Sequence, residues 1–263
     1  MTAALAHDLL RLLLVGALCG GILALAETLR RLGRVEAEWT RKLVHVFVGL
    51  TATAFPWVFE ATWSVALLCA FFAGLMEWAR RRSRLLSVHG VARPSLGAVH
   101  YPAAVALVFH LAHETPWIYV SSILVMALSD PAAAVVGRVC GRHVLRGAGD
   151  KTLEGSAAFL VSAFPCVYVP LLLTTPLTGP ECAVGAFGVA ALGAGLEAVA
   201  RSGSDNLSVP LGTCFALMVL SAWPPGAFLL GFVAVGALAR LVWVVNGARR
   251  RTWIADAVLG HRG

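Results

Sequence analysis

The chain has 263 residues, 59% of them hydrophobic and 13% charged, with a mean hydropathy of +0.79 and a formal net charge of +7. These values exclude an ordinary soluble domain and place the chain among polytopic membrane proteins. The positive balance does not point to nucleic acid, because the cations sit in short stretches between apolar runs, where lipid headgroups and orientation account for them.

A membrane-spanning helix needs ~20 largely apolar residues. In chain order the candidate runs number about nine: 8–28, 43–59, 61–79, 97–113, 116–137, 153–174, 182–200, 207–223 and 226–246. Pro56, the stretch His113 to Pro116, the stretch Thr174 to Pro180 and Trp223-Pro224-Pro225-Gly226 mark breaks. The first run, Leu9 to Ala26, is long enough to span and lacks a signal-type cleavage site, so it is expected to be a helix of the bundle. No room is left for a separate soluble domain, and residues 1–263 are expected to form a single all-α, membrane-embedded domain. Cys19, Cys69, Cys140, Cys166, Cys182 and Cys214 are scattered, with no spacing that suggests zinc or a disulfide framework.

The basic residues alternate with the spans. Arg30, Arg31, Arg34, Arg41 and Lys42 fall in the first connection, Arg80, Arg81, Arg82, Arg84 and Arg93 in the third, and Arg138, Arg142, Arg146 and Lys151 in the fifth. Arg201 follows in the seventh and Arg249, Arg250 and Arg251 in the tail, whereas the even-numbered connections contain neither Lys nor Arg. By the positive-inside rule the N-terminus is expected outside and the C-terminus in the cytoplasm.

Five polar segments then land on the cytoplasmic face. Arg41-Lys42-Leu43-Val44-His45 places Arg41 and His45 one helical turn apart; plain orientation charges and a packing histidine are the bland alternative. In Ser95 to Pro102, His100 and Tyr101 fit either a substrate contact or, the favoured reading, an interfacial belt. From Asp130 to Gly141, the residues Asp130, Ala134, Gly137 and Gly141 share one helix face, a slot of small side chains with a carboxylate deeper in. Helix packing accounts for Gly137 and Gly141 but not for Asp130, since an ionisable group in hydrocarbon is costly. In Asp150-Lys151-Thr152-Leu153-Glu154-Gly155-Ser156, Asp150 or Thr152 suits a helix cap and Glu154 the positive end of the helix dipole. Lys151 does not suit that place unless an anion binds there too. Last come Glu197 and Ser204 to Leu211, where Asp205 and Asn206 either cap a helix or join a metal–phosphate site. Cations suit phosphate, carboxylates a divalent metal, and glycines a close backbone approach.

Together these segments resemble the CTP-dependent lipid alcohol kinases: dolichol kinase, phytol kinase and the yeast-type diacylglycerol kinase. The family pattern RKxxH, GxxxY, DxxAxxxGRxxG, K[ST]xEGS and DNLxVP is met in order by Arg41 to His45, Gly97 to Tyr101, Asp130 to Gly141, Lys151 to Ser156 and Asp205 to Pro210. Pro131 departs from it, standing where relatives carry Thr, Gly or Ala, and it removes a backbone donor there. Size and short loops are most like bacterial and plastid phytol kinase-like proteins, which implies the bacterial inner membrane.

The resemblance implies transfer of the γ-phosphoryl of CTP to the hydroxyl of a polyprenol, phytol or diacylglycerol type of lipid alcohol drawn from the bilayer. It implies Mg²⁺ held by Asp130 with Glu154, Glu197 or Asp205. Nucleotide contacts are expected from Arg41, Lys42, Gly137, Arg138, Gly141, Lys151, Thr152, Glu154, Gly155, Ser156 and Asn206. Lys151 would stabilise charge, and His45 or Asp130 would orient or deprotonate the alcohol. The rival activities are a CTP:phosphatidate cytidylyltransferase-like reaction and a lipid-binding or transport role; internal repeats, frequent in transporters, are not evident.

Overall fold

A computed structural model describes residues 2–33, 35–90, 95–145 and 151–222. Those residues form a helical bundle: α1 (Thr2–Arg31), α2 (Ala37–Thr53), α3 (Phe55–Val58), α4 (Thr62–Arg81), α5 (Leu86–His89), α6 (Gly97–Ala112), α7 (Pro116–Leu124), a π turn (Val125–Ser129), α8 (Asp130–Cys140), α9 (Leu153–Thr174), α10 (Gly179–Val199) and α11 (Asp205–Ala222). One isolated antiparallel bridge joins Val144 to Thr152.

Among the described residues six helices are long and apolar enough to cross a membrane: His7–Arg31, Thr62–Arg81, Pro116–Cys140, Leu153–Thr174, Gly179–Val199 and Asp205–Ala222. The apolar α6 is shorter. The run expected at 43–59 differs most from its prediction. Its helix begins earlier, at Ala37, and stops at Thr53, with Pro56 in the first turn of the separate α3. The charges of Arg41 and Lys42 do not end it, because both are paired: Arg41 donates to Glu38 at 2.6 Å and Lys42 to Asp130 at 2.8 Å. Six of the nine expected runs thus coincide with helices long and apolar enough to span, 97–113 with the shorter α6, and 43–59 is divided between α2 and α3, while 226–246 lies outside the described residues.

The span Pro116–Cys140 is the axis of the bundle and the most buried of the six. It packs on α2, α6, α9 and α11. Ile118, Tyr119, Ile123, Val125, Met126 and Ala127 are all at most 3% exposed. Leu13, Leu14, Val161 and Leu173 lie on outer faces and are exposed, as a lipid-facing surface requires. Trp63 and Trp78, both exposed, stand about 22 Å apart along α4, a separation that suits an aromatic residue near each headgroup layer.

The middle of the axial span carries the feature that aims its polar end. Pro131 has no N–H, and in a π turn the carbonyl of Met126 would look five residues ahead to that missing donor. The carbonyl is taken instead by the His45 ring, whose Nε2 lies 2.9 Å away. Pro131 thus leaves the helix unbroken, widened by one π turn and tied to α2.

Candidate active site

One end of the bundle encloses a polar cavity of about 2290 Å³, counted out to its open mouth. Its walls come from the start of α2, from α8, from the start of α9, from the end of α10 and from the start of α11. Asp130 enters from the axial span. Its Oδ2 accepts from Lys42 Nζ at 2.8 Å and stands 3.8 Å from His45 Nε2, with both Lys42 and Asp130 side chains about a tenth exposed. Since Nε2 of His45 donates to the Met126 carbonyl, the ring proton is fixed on that nitrogen.

A second cation faces this pair. Lys151 Nζ donates to Glu197 and, at 3.1 Å, to Asp205. Burial acts against the Lys151 ammonium, but the Asp205 and Glu197 carboxylates outweigh it and hold its pKa above the ordinary lysine value. Ser156 Oγ reaches the other oxygen of Glu197 at 3.4 Å. The cavity thus brings Asp130, Glu197 and Asp205 together with the ammonium groups of Lys42 and Lys151, from four helices and the segment before α9, with Arg41 and Arg138 on its wall. Such a mixture suits a phosphorylated ligand bound with a divalent cation.

Backbone contacts hold the walls in place. Thr152 caps α9, its Oγ1 accepting from Gly155 N at 3.1 Å. The stretch before it is tied to the segment that follows α8 by Leu145 N to Lys151 O and Leu153 N to His143 O, both 2.9 Å. Gly203, at φ +83°, lies against Gly97, where a side chain would strike backbone. Around that contact Leu96 N donates to Ser202 O, His100 pairs with Gly203 O, and Asn206 Nδ2 donates to Gly97 O at 2.9 Å.

The chain is 34% identical, over 215 residues, to phytol kinase of Synechocystis sp., an alignment covering 81% of this chain and 90% of that one. The chain belongs to the phytol kinase-like family of lipid kinases. No protein-family model and no solved structure matches it.

Of the expected site residues, this phytol kinase-like chain places Arg41, Lys42, Asp130, Gly137, Arg138, Lys151, Thr152, Gly155, Glu197, Asp205 and Asn206 on the polar cavity. Glu154 stands apart: it does not line the cavity, and its carboxylate accepts from His143, at 3.2 Å from the backbone N–H and 2.6 Å from Nδ1. Gly141 also lies off the cavity, and Ser156 touches it only through Glu197. The small-residue face of α8 is a packing seam. An added Cβ at Gly137 would meet Thr152 Oγ1 at 3.0 Å, and one at Gly155 would meet the Ala133 carbonyl at 2.9 Å. Asp150 lies outside the described residues.

Tyr101 does not stand in an interfacial belt: it is buried, donates to the His45 carbonyl at 2.9 Å, and meets the His45 ring edge-on at 4.6 Å. His100 is half-buried and pairs with the Gly203 carbonyl. Other residues were not legible as parts of the site. Glu36, Glu38, Ser95, Ser202 and Arg30 complete the cavity rim. Glu27 supports that rim from beneath, accepting from Ser87 N at 2.9 Å while Thr40 donates to the Ser87 carbonyl. A carboxylate late in an apolar helix was a signal for Glu27, but its partner is 60 residues away.

Proposed function

We propose that this protein transfers the γ-phosphoryl group of CTP to the hydroxyl of a long-chain lipid alcohol of the phytol type. The observation that carries this reading is the similarity to phytol kinase over four-fifths of the chain. The convergence of its ordered motifs on one polar cavity supports it. The proposed orientation has the cavity on the cytoplasmic face of a bacterial inner membrane, in keeping with the alternation of basic loops.

The donor set suits Mg²⁺. Among the described residues no three His, Cys, Asp or Glu side chains form a ready-made metal cage, and Mg²⁺ is commonly held by one or two carboxylates together with substrate phosphates. Glu197 and Asp205, which share Lys151, would hold the ion. When bound, it supplies charge neutralisation to the triphosphate. Lys42, Lys151, Arg41 and Arg138 bind phosphate oxygens. Asp130 orients the alcohol and takes its proton as the new O–P bond forms and the bond to the β-phosphate oxygen breaks, leaving CDP and a lipid phosphate. A carboxylate already paired with Lys42 is a weak base, which suffices where the transition state is loose. His45 positions Asp130 from the side.

Purified protein supplied with γ-labelled CTP, Mg²⁺ and a panel of lipid alcohols tests the proposal. Labelled lipid phosphate that disappears on chelation of the metal is the expected result. Transfer from ATP but not CTP would overturn the donor assignment, and CDP-lipid with pyrophosphate would establish a cytidylyltransferase instead.

A further inference from the structure

A second cavity, of about 820 Å³ counted to its opening, lies between α1 and α2 on one side and α4 and α6 on the other. Its wall on α2 is the stripe Arg41, Val44, His45, Val48 and Ala52, the i, i+3, i+4 face of that helix, continued by Phe55. Leu68, Cys69, Phe72 and Met76 of α4 stand opposite, with Ala98, Pro102 and Val105 of α6. The wall is apolar except near one end, where Arg41, His45, Tyr101 and Asn206 gather. Arg41 and Asn206 also line the polar cavity, so the two spaces meet at that end.

An empty apolar space is unfavourable, on the order of 24 cal/mol per Å³ of void, and such spaces stay dry and accept hydrocarbon. The polar end has a requirement of its own: the Arg41 Nε is a buried donor with no hydrogen-bond partner among the described residues. From Arg41 to Ala52 the wall rises about 16 Å along α2, roughly half the hydrocarbon thickness of a bilayer. Near the polar end Tyr101 reaches across from α6 to donate to the His45 carbonyl of α2.

We propose that this slot seats a single hydrocarbon chain, that of the alcohol acceptor, with its hydroxyl at the Arg41–His45–Asn206 end beside Asp130. The occupant rests on the kinase reading above, while the slot itself does not. Ala52 and Phe55 close the far end and set the length of chain accommodated.

The test uses the full-length protein in detergent and a long-chain alcohol carrying a photoreactive diazirine at its tail, with no nucleotide present. Crosslinks are expected on Ala52, Phe55, Leu68, Cys69 and Val105, displaced by untagged long-chain alcohol. Crosslinks on the outer faces of α9 to α11, on residues 223–263, or none above a detergent control would overturn the slot. Val48→Trp is expected to lower kcat/KM for the long-chain alcohol by about tenfold or more relative to a short-chain alcohol, the scale of pocket discrimination. An equal loss for both alcohols would also count against it. Slot crosslinks without any phosphoryl transfer would sink the kinase reading and leave the slot standing; transfer with crosslinks elsewhere would do the reverse.

Discussion

Replacing Asp130 with Asn separates what its carboxylate does for the fold from what it does for the reaction. The Lys42–Asp130 pair is 2.8 Å long and both side chains are about a tenth exposed. Removing one charge of a buried pair leaves the other uncompensated, a cost of about 3–5 kcal/mol. Because this pair lines a wide, open cavity, the lower end of that range is expected. Turnover is expected to fall by roughly 10²–10⁴, the contribution of a positioned general base. The decisive comparison adds Lys42→Met to Asp130→Asn. Deleting both charges removes the uncompensated ammonium, so thermal stability in detergent is expected to recover most of its loss while lipid phosphate formation stays low. Recovery of turnover along with stability, or near-normal turnover in Asp130→Asn alone, would refute the mechanism and return Asp130 to a structural role.

Three further outcomes are expected. Lys151→Met leaves Glu197 and Asp205 without their shared cation, and CTP binding followed by calorimetry is expected to weaken about 10–100-fold, the scale of one charged hydrogen bond. Gly155→Ala drives a methyl toward the Ala133 carbonyl at 2.9 Å; forcing α8 from α9 is expected to cost about 1–3 kcal/mol, read as a lower Tm. For orientation, in a background without native cysteines, Thr175→Cys is expected to react with an impermeant maleimide in intact cells and Arg142→Cys only after lysis, and the opposite pattern would invert the topology.

The helices were legible because hydropathy reports burial along one chain segment at a time, and Pro, Gly and charge mark where such segments stop. That logic misplaced the start of α2. Arg41 and Lys42 look like interfacial charges until the partner of Lys42, 88 residues away on another helix, is known. The candidate site was legible as a set of motifs, not as a set of contacts. Asp130, Lys151, Glu197 and Asp205 do meet, but Glu154, inside the same motif as Lys151, turns to His143 because it stands on a different face of the first turn of α9. The apolar slot left no trace in hydropathy. Val44, Val48 and Ala52 read the same whether they face a neighbouring helix or an open space.

The π turn at Val125–Ser129 holds one residue more than the surrounding α-helix would use for the same turn. Every side chain beyond it is therefore offset by about 100° from where an uninterrupted α-helix would put it. Deleting one residue from this turn would leave the letters from Asp130 to Gly141 intact, yet swing the carboxylate away from Lys42 and carry the glycine seam off α9. Chains sharing this motif are thus comparable only where they also share its count of residues from Pro116, and an alignment that places a gap there pairs residues that face different neighbours.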